Sequence, residues 1–469
     1  MPWFSAVDLS EQIRRREVSC VEVMRAYLER IEALNPRVNA IVALREPEVL
    51  LREASARDEQ LARGQYLGWL HGLPFAVKDL AAAEGLLWTE GSPIYARRVA
   101  EADDVFVRRL KDAGAIVVGK TNVPEFGLGS QTYNRVYGAT ATPYDTTRTA
   151  GGSSGGAAAA LALRLVPVAD GSDYLGSLRN PAAFCHVLGF RPSYGRVPTP
   201  GFVAHPSVVG PMGRTVDDVA ALLGVLAGPH DSAPLSFAAG AFRPRDGKRR
   251  DWRGVRIAWV GDFGGYLACE AGLLEVCRKA LRVFEDLGAQ VHEAVPGYPP
   301  ERIWDTVLTW RWWTSLKWHD LYSDPATRAE LKPEIIWETE HGLRLTALDV
   351  ARAELQRIEW YEAVLRFLDS YDFVVAPSAQ VFPFPITTTW PREIDGRPMD
   401  SYHRWMETVA PWSMTGLPVL GMPAGFDARG LPAGIQLIGR PGADAEVLHL
   451  AKAYEQSTNW VRDHPPPES

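Results

Sequence analysis

The sequence predicts an α/β fold, and three observations carry that prediction. Short apolar runs, such as Phe75-Ala76-Val77, Ala115 to Val118 and Val255 to Val260, read as buried strands. Segments with helical spacing lie between them, the alternation expected of a mixed or parallel sheet covered by helices. With 46% hydrophobic and 23% charged residues over 469 positions, the chain has the make-up of an ordinary globular protein with ample length for a large core.

Near the N-terminus, Ser19 and Glu22 form a capping box, and Val21, Met24, Leu28 and Ile31 share one helical face. Asn35-Pro36 is expected to end that helix, with Val38 to Leu44 as a strand and a polar helix from Pro47 to Arg63. Gly72-Leu73-Pro74 turns into a strand that carries Lys78 near its C-terminal end. Asp104 to Ala113 reads as a helix and Ala115 to Val118 as a strand. From Gly151 the chain turns through glycines into an Ala/Leu-rich helix, Ala157 to Leu165, and Val166 to Ala169 returns as a short strand. The stretch from Leu235 to Trp252 is loop-like, but the strand at Val255 to Val260 resumes the alternation, so residues 1–469 are expected to form one domain with embellishments. The Pro-rich tail after Val461 is expected to fray.

The formal net charge is −7, which argues against nucleic acid, whose binding needs clustered Lys and Arg. The short basic runs Arg14-Arg15-Arg16 and Lys248-Arg249-Arg250 are expected on solvated surface. Cys20, Cys185, Cys269 and Cys277 show no CxxC spacing and the histidines no HExxH, so no metal site and no cofactor are expected. Few cysteines in a long chain suggest reduced thiols and a cytoplasmic protein. The first residues lack the layout of a signal peptide, and no apolar run approaches the ~20 residues that span a bilayer, so no membrane partner is expected.

Ten of the sixteen tryptophans fall between Trp304 and Trp412. Core filling between helices is the favoured reading. An aromatic wall over an active site, suited to apolar or aryl substrates, is the alternative. A membrane-resting face fits least, because Arg311, Lys317 and Asp320 interrupt the run.

The most informative stretch is Gly151-Gly152-Ser153-Ser154-Gly155-Gly156, followed by Gly171-Ser172-Asp173-Tyr174-Leu175-Gly176-Ser177. Glycine removes most side-chain bulk around Ser153 and Ser177, and Lys78 stands in an apolar run upstream. Two hydroxyls and an amine can form a proton relay that activates a serine, so a meeting of the three would cleave acyl bonds. A phosphate-cradling turn is the weaker reading, because the Lys-Ser/Thr of a P-loop is missing after Gly156.

The segment Gly151 to Arg196 resembles the amidase signature family of serine amidohydrolases almost end to end. The likeness extends to Lys78-Asp79, Gly119-Lys120-Thr121-Asn122, Gly416-Leu417-Pro418 and Gly430 to Gly439, and leaves only about residues 235 to 410 without a strong family mark. It implies a large mixed β-sheet covered by helices on both faces. The signature core would span about residues 70–200, with the Trp-rich segment at about 300–412 over the active site. It implies Ser177 as nucleophile, Ser153, after a cis peptide bond, as proton bridge, and Lys78 as base. Lysine normally titrates near 10.4, and burial lowers that value far enough for it to serve as a base.

Backbone N–H groups from Tyr174 to Ser177 would stabilise the oxyanion. Losing one such donor in a serine protease costs ~3 kcal/mol. The family pattern has two glycines before the nucleophile, whereas this chain has Leu175-Gly176, and leucine disfavours positive φ. Gly152 and Gln131 complete the expected oxyanion and substrate contacts, with a structural role for Gln131, Thr132 and Asn134 equally open. Ser154 is expected to be a helix-capping or structural hydroxyl, Asp173 and Arg179 to brace the loop, and Cys185 to sit in the core.

The expected activity is cleavage of the C–N bond of a linear small-molecule amide, with aryl amides, carbamates and esters as possible substrates, by a monomer or homodimer. The alternatives are the glutaminase subunit of an aminoacyl-tRNA amidotransferase and an inactive amidase-like binding protein.

Overall fold

The computed structural model describes residues 1–242 and 251–468, so Lys248-Arg249-Arg250 and most of the loop-like stretch after Phe242 lie outside the described residues. Among the described residues, eleven strands form two main sheets. A small sheet contains β1 (Ile41–Val42), β2 (Pro74–Lys78) and β3 (Ile116–Thr121) in the order β1-β3-β2. β2 and β3 run parallel, while β1 is antiparallel to β3.

The large sheet contains β4 (Ala169–Asp173), β5 (Leu188–Arg191), β6 (Val208–Gly213), β7 (Arg256–Trp259), β8 (Gln290–Glu293), β9 (Phe373–Pro377), β10 (Val419–Phe426) and β11 (Pro432–Ile438). Its order is β8-β7-β9-β11-β10-β5-β6-β4. It is mixed: β7 is parallel to β8 and β9, and the other neighbours are antiparallel. β2 and β4 are thus outer strands of different sheets, and they pack against each other.

Local sequence explains most boundaries. The Ser19–Glu22 capping box starts the helix Cys20–Val38. That helix does not stop at Asn35-Pro36 but runs through Pro36, because Asn39 supplies the left-handed cap (φ 52°). Asn35 then ties its side chain to Ala40 and Ile41. The expected strand from Val38 shrinks to β1. The strand expected at Val166 to Ala169 begins only at Ala169, and β3 continues to Thr121.

The buried helix Gly155–Ala162 fits because its glycines admit close neighbours: a Cβ on Gly156 would stand 2.3 Å from Asn122 N. The tail is tied down rather than frayed. Tyr144 Oη donates to the His464 carbonyl at 2.8 Å, and Arg30 bonds Glu468. No described helix is long and apolar enough to cross a membrane.

Candidate active site

Lys78 ends β2, and its neighbours Phe75, Ala76 and Val77 are fully buried. The Lys78 side chain is buried too, at 1% exposure. Its Nζ reaches Ser153 Oγ at 2.8 Å, Ser154 Oγ at 2.8 Å and Ser172 Oγ at 3.0 Å. Burial disfavours the ammonium and pulls its pKa down to about 7, against the opposing pull of Asp170 and Asp173. Three hydroxyls therefore converge on one buried amine that can lose its proton near neutrality.

Ser153 and Ser154 are delivered by the glycine turn. Gly151 has φ 73°, and a Cβ there would press on Pro181 Cα at 3.2 Å. Its carbonyl accepts from Thr132 N at 3.0 Å, and the Gly152 carbonyl accepts from the Ser130 hydroxyl. The Gly152–Ser153 peptide is cis, as the resemblance implied. Ser154 departs from expectation. It occupies the N-cap of Gly155–Ala162, yet its side chain makes no capping bond. The hydroxyl turns to Lys78 instead, because the buried amine offers a stronger donor than a helix N–H.

The second serine lies in the turn after β4. Asp173 organises that turn by accepting from Gly176 N at 2.8 Å, Leu178 N at 3.1 Å and Arg179 Nε at 3.0 Å. Burial alone would raise its carboxyl, but the Arg179 and Arg191 guanidiniums hold it far below the usual range. Gly176 has φ 89°, and a Cβ would stand 2.3 Å from Asn180 Oδ1, so only glycine fits.

This geometry corrects the oxyanion expectation at Gly176: its N–H is engaged by Asp173 and does not point free. The Leu175 and Ser177 N–H groups have no backbone acceptor among the described turn bonds. Ser177 is half-buried, and its carbonyl accepts from Ser154 N at 3.3 Å. Among the described residues no hydrogen bond joins the Ser177 and Ser153 hydroxyls. Such links are often loose before substrate binds.

Leu175 has ordinary negative φ, so the loss of the family's first glycine leaves the backbone unstrained. Its side chain is 4% exposed in an apolar cluster with Trp304, Trp310, Trp360 and Trp412. The leucine is therefore packing rather than a pocket wall, and only its N–H faces the turn chemistry. Tyr174 packs on the same cluster, and its hydroxyl lies 3.2 Å from Thr314 Oγ1. Gln131 donates to the Ile386 and Thr388 carbonyls at 2.9 and 3.1 Å, a loop tether rather than a substrate contact.

Core filling describes most of the Trp-rich segment. Trp304, Trp310, Trp360, Trp405 and Trp412 are buried, while Trp312 and Trp313 are half-buried on the helix Pro300–Ser315. Arg311, which interrupts the run in sequence, is itself buried, with Nε 2.8 Å from Glu338 Oε1.

Ser172 and Asp170 escaped the sequence reading. Their signal was the two-residue alternation of β4, which turns both toward Lys78: Ser172 Oγ meets Nζ, and Asp170 Oδ1 accepts the Lys78 N–H at 3.0 Å. Asn180, which donates to the Ser378 carbonyl at 2.6 Å, was also missed. Among the described residues no three His, Cys, Asp or Glu side chains gather at metal-ligating distance.

Comparison with known proteins adds to this geometry. The family profile described as Amidase matches residues 22–448. An acylamidase of Rhodococcus erythropolis is 36% identical over 470 residues, spanning 99% of this chain and 97% of that protein. The GatA-type chain of the glutamyl-tRNA(Gln) amidotransferase of Microcystis aeruginosa is 34% identical over 486 residues, with 98% of each chain covered. The crystal structure of a bacterial aryl acylamidase of the amidase signature family superposes with a TM-score of 0.90 at 28% identity, covering 99% of this chain and 98% of the other.

Proposed function

The chain belongs to the amidase signature family and is an amidase, a hydrolase of C–N bonds other than peptide bonds, and from that premise we propose that it works through an acyl-enzyme on Ser177 with Lys78 and Ser153 as its proton relay. The observation that carries this reading is the 2.8 Å approach of the buried Lys78 amine to Ser153 Oγ.

In the neutral form Lys78 keeps two N–H donors for Ser154 and Ser172 and offers its lone pair to the Ser153 O–H. As Ser177 Oγ attacks the carbonyl carbon, its proton passes to Ser153 Oγ, and the Ser153 proton passes to Lys78 Nζ. N–H groups of the 174–177 turn stabilise the oxyanion. When the C–N bond breaks, Ser153 protonates the departing amine and recovers a proton from Lys78. Water then enters by the same path and releases the acid. Asp173 holds the turn through hydrogen bonds to Gly176, Leu178 and Arg179.

The proposed substrates are small acyl amides, aryl amides among them. The likeness to an aryl acylamidase and the tryptophan cluster behind Leu175 support this choice. The test is a screen of the purified chain, alone, against anilides, aliphatic amides, carbamates and esters. Hydrolysis of anilides by the lone chain is the expected result. Activity that appears only with a partner protein would instead favour the amidotransferase reading, which the Microcystis relative keeps in play.

A further inference from the structure

We propose that Asp170 is a positioning residue for Lys78, stitching the two sheets together at that residue and using its charge to set the pH at which the amine becomes free. This inference rests on Lys78 acting as the base.

β2 ends the small sheet and β4 ends the large one, so their facing edges share no backbone ladder. At Lys78 the missing bond is supplied by a side chain: Asp170 Oδ1 accepts the Lys78 N–H at 3.0 Å. Two residues along, Ser172 Oγ takes the other end of the same lysine, Nζ, at 3.0 Å. One face of β4 thus grips both the backbone and the amine of Lys78.

A neutral acceptor would have served the seam equally well. A carboxylate at 1% exposure is a costly choice, and burial raises the Asp170 pKa to about 6. The cost is understandable if the charge acts on a neighbour. The other buried carboxylates nearby have their own cations. Asp173 is paired with Arg179 and Arg191, and Asp79 stands 3.9 Å from Lys120 Nζ.

Asp170 forms no ion pair among the described residues, and the cations it feels are Lys78 and Lys120. Lys120, on β3, donates to the Ala81 carbonyl and also feels Asp79 and Asp104. Lys78 otherwise faces Asp173 and the hydroxyls of Ser153, Ser154 and Ser172. Burial weakens Lys78 as a proton acceptor, and Asp170 partly restores it. The amine then titrates near the operating pH and remains basic enough to take the relay proton.

The experiment is the kcat/KM–pH profile of wild type, Asp170→Asn and Lys78→Ala with a neutral anilide. Asparagine keeps the acceptor for the Lys78 N–H and removes the charge. The expected result is an acidic limb moved down by about one pH unit, with a lower plateau. An unmoved limb at wild-type plateau would overturn the inference while leaving Lys78 as base. If instead Lys78→Ala keeps both turnover and the wild-type limb, the base assignment itself fails.

Should Asp170→Asn not fold, the unaltered enzyme supplies the reading. The carboxyl carbon of Asp170, in protein labelled with 13Cγ-aspartate, should respond at the same inflection as the 13Cε signal of Lys78. Independent titrations of the two signals would overturn the proposal.

Discussion

Arg179 Nη2 stands 2.9 Å from Asp173 Oδ1 with both side chains fully buried, and Ser177 lies between them in the chain. The pair closes a short loop on itself, because Asp173 also accepts the N–H groups of Gly176 and Leu178. Removing one member of a buried pair leaves an uncompensated charge, so Arg179→Leu should cost ~3–5 kcal/mol. Urea denaturation measures it, and a loss under ~1 kcal/mol would show that the pair does not hold the turn. Asp173 has a folded pKa below its unfolded value. Its contribution to stability is therefore complete above pH ~4 and lost as acid approaches the folded value.

Ser177 should react with a serine-directed phosphonate, since only an activated hydroxyl reacts quickly. Peptide mapping should place the adduct on Ser177. An adduct on Ser153 or Ser154, both of which contact Lys78, would move the nucleophile to that serine.

Lys78→Ala should lower kcat by roughly a hundred- to ten-thousand-fold, the range of a lost general base, and Ser153→Ala should be similarly severe. The two losses should not add, because the residues act as one unit. In wild type, activity should rise with pH through about 7 as Lys78 sheds its proton. Additive losses, or a flat profile from pH 5 to 9, would count against the relay.

Lys78→Met should stabilise the protein while inactivating it. The wild-type ammonium is disfavoured by burial, so its folded pKa lies below the unfolded one. Below pH 7 lysine is charged in both states and the native state carries the whole penalty, up to ~5 kcal/mol. Above pH ~10.4 it is neutral in both, and the penalty is gone. The advantage of Lys78→Met should therefore shrink between pH 7 and 10. A constant or growing advantage over that range would mean Lys78 is not destabilised by burial.

Leu175→Gly should destabilise by ~2–5 kcal/mol, because it empties space inside the tryptophan cluster and frees the backbone. Since the side chain is buried away from the turn, the ratio of kcat/KM for a bulky anilide to that for a small aliphatic amide should stay within about twofold, while both values fall. A tenfold change in that ratio would place Leu175 in the substrate pocket.

Much of this protein was determined by short-range pattern. The Ser19 capping box, the apolar strand ending in Lys78 and the glycine turn before Ser153 depend on neighbouring residues, and each appears where the sequence puts it. Fold class followed from the same alternation. Boundaries slipped where a distant or unusual partner intervened, as at Pro36, where Asn39 caps the helix in a left-handed conformation.

What only the tertiary structure decided is the company each functional group keeps. Ser154 reads as a cap until β2 brings Lys78 within 2.8 Å of it. Gly176 reads as a free donor until Asp173 takes its N–H, and Leu175 reads as a pocket residue until the tryptophans close around it. Asp170 has no meaning in sequence at all, because its partner is the backbone of a strand 92 positions away in another sheet. The physical reason is common to all four. A side chain's chemistry is set by burial and by the donors within ~3 Å, and in this fold those come from strands and loops remote in the chain.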